Sequence, residues 1–288
     1  MVKIVGDTTS CLSESFAQEH DIPIIPQVII FGDESYLEGI EIDYATFMDK
    51  LRAATESPKT AAPPPELFAD VFEQLAPTGE AVVCILPSAI LSGTVRSAIV
   101  GLQQAHEERG VEELDVRIID TQLIASPVAT MIRLAAEWAD QGVNADEIER
   151  RVRDMSARCK IYFLVDTLKY LAMGGRIGGA SALLGSVLKI KPVLTLRDGQ
   201  VDTLEKVRTH RRAVDRLKQL VGEQIAPGEA GHLSIMHADA AEEAQELVAY
   251  FQAALDLDAV PKYEVPPAVV THGGPGVLGV GFFTEDAT

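Results

Sequence analysis

The sequence has few cysteines, three in 288 residues, and no C-x-x-C pair. Cys11, Cys84 and Cys159 are odd in number and far apart, which argues against a disulfide framework and against a zinc site. No apolar run reaches the roughly 18 residues that a membrane-spanning helix needs, so we expect no stable membrane insertion. The segment Met1–Gly6 predicts a first β-strand and not a signal peptide. Together these features favour a cytoplasmic protein.

Positive charge is also scarce. The chain carries 25 Lys and Arg against 43 Asp and Glu, a net charge of −18, which argues against nucleic-acid binding. The exception is residues 151–218, with 15 of the basic residues and only 6 of the acidic ones, a local balance of +9 against −27 elsewhere. This island favours an anionic ligand or an acidic partner surface, with an exposed basic helix at 206–218 as the alternative. Arg176 stands out because glycines surround it, so the backbone there can approach a ligand closely.

Apolar periodicity predicts an α/β protein with two domains, 1–160 and 161–288. In the first, strands and amphipathic helices alternate, which indicates a parallel sheet with helices on both faces. In the second, closely spaced strands and turn signals such as Asp198-Gly199 indicate a mixed or antiparallel sheet. The predicted strands are Lys3–Val5, Ile22–Phe31, Ala81–Leu86, Val116–Ile119, Ile161–Val165, Pro192–Leu196, Gln200–Lys206, His232–His237, Val269–Thr271 and Val277–Phe283. The predicted helices begin near Ser13 or span Tyr44–Ala54, Glu66–Leu75, Thr94–Arg109, Val128–Trp138 and Ala145–Cys159.

The turn Ser92-Gly93-Thr94 follows a buried strand and opens a helix. Unsatisfied N–H groups and a partial positive charge at a helix N-terminus favour an anion there. Ser92 adds a hydroxyl donor, and Gly93 lets a ligand reach the backbone. Simple N-capping by Ser92 is the alternative interpretation.

A second glycine turn, Thr271–Gly276, is predicted to join two apolar strands. His272 within it is a candidate hydrogen-bond donor to a carboxylate, or a base; an incidental histidine in a tight turn is the alternative. A hydrolase oxyanion loop requires a downstream G-x-S-x-G elbow, which the chain lacks. The glycines from Gly174 onward resemble a P-loop in spacing, but Ala180 replaces the required lysine.

In combination these motifs resemble the DegV family of bacterial fatty-acid-binding proteins over nearly the full length. The matching segments are Asp7-Thr8-Thr9, Phe31–Tyr36, Leu91–Thr94, Gly174–Ile177, Leu184-Gly185, Lys189–Pro192 and His272–Gly276. Two segments depart from the family pattern: Thr60-Ala61-Ala62-Pro63 lacks two polar side chains, and Thr121–Pro127 is bulkier than usual, which changes the shape expected for the acyl-tail cavity.

The resemblance implies that one long-chain fatty acid is buried between the two domains, with no other cofactor and no metal. It assigns the carboxylate to Thr60, Ser92 and His272, with the backbone N–H of Gly93 contributing. Some family members are the lipid-carrying subunit of a fatty acid kinase and present the carboxylate to a separate ATP-binding subunit. On that analogy Arg176 and Arg208 serve phosphate transfer or partner docking. The alternative function is a stand-alone acyl-group enzyme that uses Ser92 as nucleophile and His272 as base.

Overall fold

A computed structural model describes residues 2–111, 114–184, 190–229 and 231–285. The chain divides into two compact units, Met1–Ser156 and Ala157–Thr288. The predicted two-domain α/β class is confirmed.

Strands and helices alternate along most of the chain. The strands are β1 (Val2–Asp7), β2 (Ile24–Ile25), β3 (Val28–Phe31), β4 (Glu34–Leu37), β5 (Lys59–Ala61), β6 (Ala81–Leu86), β7 (Val116–Asp120), β8 (Cys159–Leu164), β9 (Lys191–Arg197), β10 (Gln200–Val207), β11 (Ser234–His237), β12 (Lys262–Glu264) and β13 (Leu278–Phe283). The helices are α1 (Glu14–Glu19), α2 (Tyr44–Ala53), α3 (Pro65–Leu75), α4 (Thr94–Arg109), α5 (Ser126–Asp140), α6 (Ala145–Arg158), α7 (Lys169–Met173), α8 (His210–Gly222), α9 (Ala241–Leu255) and α10 (Pro267–Gly273).

The first unit is built on a parallel sheet in the order β2-β1-β6-β7. Alternate side chains of β6, such as Val82 and Cys84, pack with α3 and α4 on one face. On the other face α5 lies so close to β1 that a Cβ at Gly6 would be 2.7 Å from Cδ1 of Ile132. The predicted parallel sheet with helices on both faces is therefore confirmed.

The first unit also holds a small antiparallel sheet, in the order β4-β3-β5, which the sequence did not predict. The strand predicted over Ile22–Phe31 is divided between the two sheets. Pro26 separates β2 from β3, and proline cannot donate a hydrogen bond to a sheet ladder. This division places Gln27 at the point where the two sheets diverge, with its side chain buried.

The second unit holds a mixed sheet in the order β10-β9-β8-β13-β11-β12, antiparallel except between β11 and β12. Asp198 and Gly199 form the predicted two-residue hairpin between β9 and β10, both with positive φ. Helices α8 and α9 cover one face, where Leu217 and Phe251 are buried in its core.

One predicted element of this unit is wrong, and another begins later than predicted. Residues Val269–Thr271 lie in helix α10 and not in a strand, because Pro267 starts a helical turn in which the Thr271 hydroxyl donates to its carbonyl at 2.9 Å. The basic helix begins at His210 and not at residue 206, since Thr209 caps α8 by accepting from the N–H of Arg212. None of the helices within the described ranges has both the length and the hydrophobicity to cross a bilayer.

Candidate functional site

The turn before α4 is the segment for which the sequence predicts an anion site. Gly93 is the N-cap residue of α4, and no side chain caps that end, so capping by Ser92 is ruled out as the reason for the serine. Instead the Ser92 hydroxyl lies 2.8 Å from the Thr94 hydroxyl. The first N–H groups of a helix have no carbonyl partner within it. The Ser92 hydroxyl thus lies beside the helix end whose first N–H groups lack an intrahelical partner.

Thr60 lies in β5, opposite Ile29 of β3, and is half-buried. The loop that follows packs against the turn before α4: a Cβ at Gly93 would lie 3.1 Å from Cβ of Ala62. The segment that carries Thr60 is thus a neighbour of the segment that carries Ser92. Ala62, one of the two departures from the family pattern, is the residue in contact.

Behind Ser92 lies a buried polar network that sequence analysis missed. Asp7 ends β1 with no exposed surface. Its carboxylate accepts from the Thr9 hydroxyl and from Nε2 of Gln27, both at 2.7 Å. The same Nε2 donates to the Thr94 hydroxyl at 2.8 Å. A carboxylate and two hydroxyls directly after a first strand were the available signal, because ligands of parallel sheets bind at the carboxyl ends of strands.

Burial raises the pKa of Asp7 from 3.8 to about 6, although hydrogen bonds from Thr9 and Gln27 oppose the rise. Burial dominates because the carboxylate has lost its hydration. Asp7 therefore remains largely ionised at neutral pH, as a hydrogen-bond acceptor only.

In the second unit, His272 lies in the last turn of α10 and packs against the backbone that follows α7. A Cβ at Gly174 would lie 2.0 Å from Nδ1 of the imidazole. Burial, and then the nearby Arg176 guanidinium, lower the pKa of His272 from 6.5 to about 4. The imidazole is consequently neutral at physiological pH and has one N–H to donate.

The two glycine motifs of the sequence meet at this point. Gly274 has a positive φ, and a Cβ on it would be 2.4 Å from the Tyr170 ring of α7. Gly276 also has a positive φ, and a Cβ on it would be 2.3 Å from a carboxylate oxygen of Asp166. Glycines are required here because the backbone after α10 approaches α7 and the segment before α7 too closely for side chains. The motif is not a turn between two strands, as predicted, but the end of a helix packed on α7.

Arg176 and Arg208 have different environments. Arg176 is half-buried, and its Nη1 donates to the Gly174 carbonyl at 2.7 Å. Arg208 is exposed in the link between β10 and α8. Part of the basic island is neutralised, since Arg216 pairs with Glu205 and Glu223, each at 2.8 Å. Arg211 and Arg212 of α8 are exposed like Arg208.

The predicted site residues thus fall into two sets. The first unit carries Thr60, Ser92 and Gly93 on adjoining segments, and the second carries Arg176 beside His272, with Arg208 on its surface. Gly185 and Lys189 of the resemblance lie outside the described residues. No group of three or more potential metal ligands occurs in the part of the chain that the structure describes.

Several known proteins are similar to this chain over nearly its whole length. The model of the DegV family, whose members are described as uncharacterised proteins, matches residues 1–285. A DegV domain-containing protein of Streptomyces coelicolor is 36% identical over 97% of both chains. A fatty-acid-binding DegV protein of Streptococcus agalactiae has a TM-score of 0.88 at 27% identity, covering 99% of each chain. A stearic acid-binding protein of Eubacterium ventriosum has the same TM-score and coverage at 25% identity. The chain is therefore a member of the DegV family.

Proposed function

We propose that this protein binds a long-chain fatty acid. The observation that carries the proposal is the match, over nearly the whole length and in both sequence and fold, to DegV proteins that bind fatty acids. The energetics are favourable, since burying about 15 methylenes at about 0.8 kcal/mol each supplies ample affinity. The scarcity of cysteine supports a cytoplasmic location for this binding.

The carboxylate of the ligand is the part that needs specific partners, because a buried anion must be hydrogen-bonded. In this proposal the donors are hydroxyls, a helix-terminal N–H and a neutral imidazole, from Thr60, Ser92, Gly93 and His272. The low pKa of His272 supports the assignment, since a neutral imidazole donates without first taking up a proton. The N-terminus of α4, where the N-cap Gly93 is exposed, adds the positive end of a helix dipole.

We further propose that the bound carboxylate is presented to a separate kinase subunit that forms the acyl phosphate. Ala180 stands where a P-loop would have its lysine, and in this proposal the nucleotide is bound by the partner. Arg176 would stabilise the transferred phosphoryl group, because a guanidinium fork matches phosphate oxygens. Arg208, exposed on a basic segment, would meet an acidic surface of the partner.

The binding step is tested with purified protein. Native mass spectrometry of the protein as isolated, with analysis of the extracted lipid, is expected to show one fatty acid per chain. In titrations with a fluorescent fatty acid, Ser92→Ala should weaken binding by about 1.5–3 kcal/mol. Ser15→Ala, an exposed serine on α1, is the matched control and should bind like the wild type. Equal affinity in all three proteins would remove the proposed carboxylate site.

The alternative, an acyl-group enzyme, makes a different prediction in the same samples. A histidine with a pKa of about 4 is a weak general base at neutral pH, so acyl esters should not be turned over. Steady ester hydrolysis that Ser92→Ala abolishes would overturn the carrier function in favour of the enzyme.

A further inference from the structure

A chain of hydrogen bonds links a buried charge to the proposed carboxylate donor within the first unit. It runs from Asp7 to Gln27 at 2.7 Å, from Gln27 to Thr94 at 2.8 Å, and from Thr94 to Ser92 at 2.8 Å. Asp7, Gln27 and Thr94 are all buried, and only Ser92 reaches partial exposure. The chain therefore leads from the interior to one hydroxyl at the surface of the turn.

The direction of the first two hydrogen bonds follows from the chemistry of the groups. An ionised Asp7 only accepts, so the Gln27 side chain must present its NH₂ group, and that one nitrogen also faces Thr94. The Thr94 oxygen thus accepts from Gln27, and the Thr94 proton can go either to the Ser92 oxygen at 2.8 Å or to the Asp7 carboxylate, whose pKa a Thr94 hydrogen bond also lowers. In the first case Ser92 accepts from Thr94 and has its own proton left to donate to a ligand.

The stability of the fold does not by itself explain why a carboxylate is buried here. A buried carboxylate loses hydration, and well-packed apolar side chains in its place are often as stable or more stable. Asp7 lies at the carboxyl end of β1, the edge where ligands of parallel sheets bind. The cost of burial at that position is explained if the charge sets the orientation of groups at the site.

We propose that Asp7 is a positioning residue that acts through Gln27 and Thr94 to hold the Ser92 hydroxyl as a donor, and thereby selects a ligand headgroup that only accepts. This inference rests on the proposed fatty-acid function and adds the basis of headgroup selectivity to it. A carboxylate can accept the hydrogen bond from Ser92, whereas an ammonium group, which only donates, cannot. A competing arrangement has the Thr94 proton directed at Asp7, in which case Ser92 would donate to Thr94 and offer only a lone pair.

The test compares two ligands, palmitic acid and hexadecanol, whose tails are alike but whose headgroups differ. A hydroxyl headgroup both donates and accepts, so it binds whichever way Ser92 points. In Asp7→Asn the new amide donates, the Gln27 amide turns to present its oxygen to both neighbours, and the Thr94–Ser92 bond reverses. Palmitate affinity should fall about 10- to 100-fold, in keeping with one lost hydrogen bond to a charge, and hexadecanol affinity should change less than about 2-fold.

Simple electrostatics predicts the opposite result. Asp7→Asn removes a negative charge from behind the site, which by itself strengthens the binding of an anion. A loss of palmitate affinity therefore reports the orientation of Ser92 and not the charge. Thr94→Val, which breaks the chain, should show the same selective loss. Thr195→Val is the control, since it removes a buried hydroxyl that donates to backbone carbonyls in the second unit.

The double variant Asp7→Asn/Gln27→Glu separates positioning from folding. It exchanges amide and carboxylate, so every group in the chain can still be paired, but all directions are reversed. Its unfolding, followed by the fluorescence of Trp138 in the first unit, should stay close to that of the wild type while palmitate selectivity is lost. Wild-type palmitate affinity in Asp7→Asn or in the double variant would overturn this inference but not the proposed function. Failure of the wild type to bind palmitate would overturn the proposed function as well.

Discussion

The imidazole of His272 occupies the space that a side chain at Gly174 would need: a Cβ there would lie 2.0 Å from its Nδ1. The relationship is reciprocal, because Gly274, two residues beyond His272, leaves room for the ring of Tyr170. The glycine after α7 thus makes room for His272, and the glycine after α10 makes room for Tyr170. The position of His272 is fixed by backbone from α7 and not by its own helix alone.

Gly174→Ala should therefore destabilise the second unit and displace His272. Overpacking of a tight contact costs about 1–3 kcal/mol, and the displaced imidazole should also weaken fatty-acid binding. Urea denaturation followed by circular dichroism, together with a ligand titration, measures both effects. Gly222→Ala is the control, since its Cβ would meet nothing within 4 Å at the end of α8, and it should cause no loss.

A double variant tests the cause of that loss. If the clash with the imidazole is responsible, His272→Ala in the Gly174→Ala background should recover most of the stability, so that the two effects are strongly non-additive. Simple addition of the two losses would show that Gly174 is needed for another reason.

The protonation of His272 is directly measurable. With a pKa of about 4 in place of 6.5, its Cε1 proton should not titrate in NMR spectra above about pH 5. Since the folded pKa is the lower one, His272 destabilises the fold as the pH falls from about 6.5 towards 4. A bound carboxylate should raise the pKa, and Arg176→Ala should raise it as well by removing a nearby positive charge. Titration near pH 6.5 without ligand would contradict the structure.

The alternation of strands and helices was predictable because each element carries its own apolar period. Strand β6 and helix α4 match their predicted bounds, and the Asp198-Gly199 turn was readable because its positive φ values demand such residues. Helix α10 was not, since four apolar residues before a glycine turn have the same pattern in a short strand and in a short helix. The apolar pattern alone does not distinguish the two, whereas Pro267, which suits the first turn of a helix, favours the helix.

The motifs of the candidate site could be found from the sequence, but not their surroundings. Ser92 and His272 stand out because glycines accompany them. The role of Asp7 depends on Gln27 and Thr94, which are 20 and 87 residues further along and meet it only in the fold. The ordinary histidine pKa of 6.5 also does not apply to His272, because neighbouring residues in the sequence do not reveal its burial beside Arg176.

Asp7 should make the stability of the first unit depend on pH. Its pKa of about 6 when folded exceeds the ordinary 3.8, so the folded state holds the proton more tightly and the free energy of unfolding falls as pH rises from about 4 to 6. Asp7→Asn removes this cost. The stability of the variant relative to the wild type should rise by up to about 3 kcal/mol between pH 4 and 7. Trp138 fluorescence in urea measures it; a difference that is constant with pH would contradict the burial effect.

Ala125 has a conformation that suits glycine, with φ +64° and ψ −142°, directly before α5. Such a position costs a residue with a Cβ about 1–3 kcal/mol. Ala125→Gly should therefore raise the free energy of unfolding by about 1 kcal/mol after the greater chain entropy of glycine is subtracted. Ala129→Gly, the same change in the regular part of α5, should lower it by about 1 kcal/mol. Equal losses in both variants would show that Ala125 is not strained.

The last prediction separates lipid binding from phosphate transfer. Arg176 donates to the Gly174 carbonyl and lies close enough to His272 to affect its pKa, while the proposed carboxylate donors are other groups. With a bacterial fatty acid kinase subunit and Mg-ATP, Arg176→Ala should keep most of the fatty-acid binding but form acyl phosphate about 10²-fold more slowly. Arg208→Ala should instead raise the protein concentration needed for half-maximal activity, most strongly at low salt. Arg150→Ala, an exposed arginine paired with Glu147, serves as the control. If Arg176→Ala protein is isolated without lipid, Arg176 binds the headgroup itself and this division of roles is wrong.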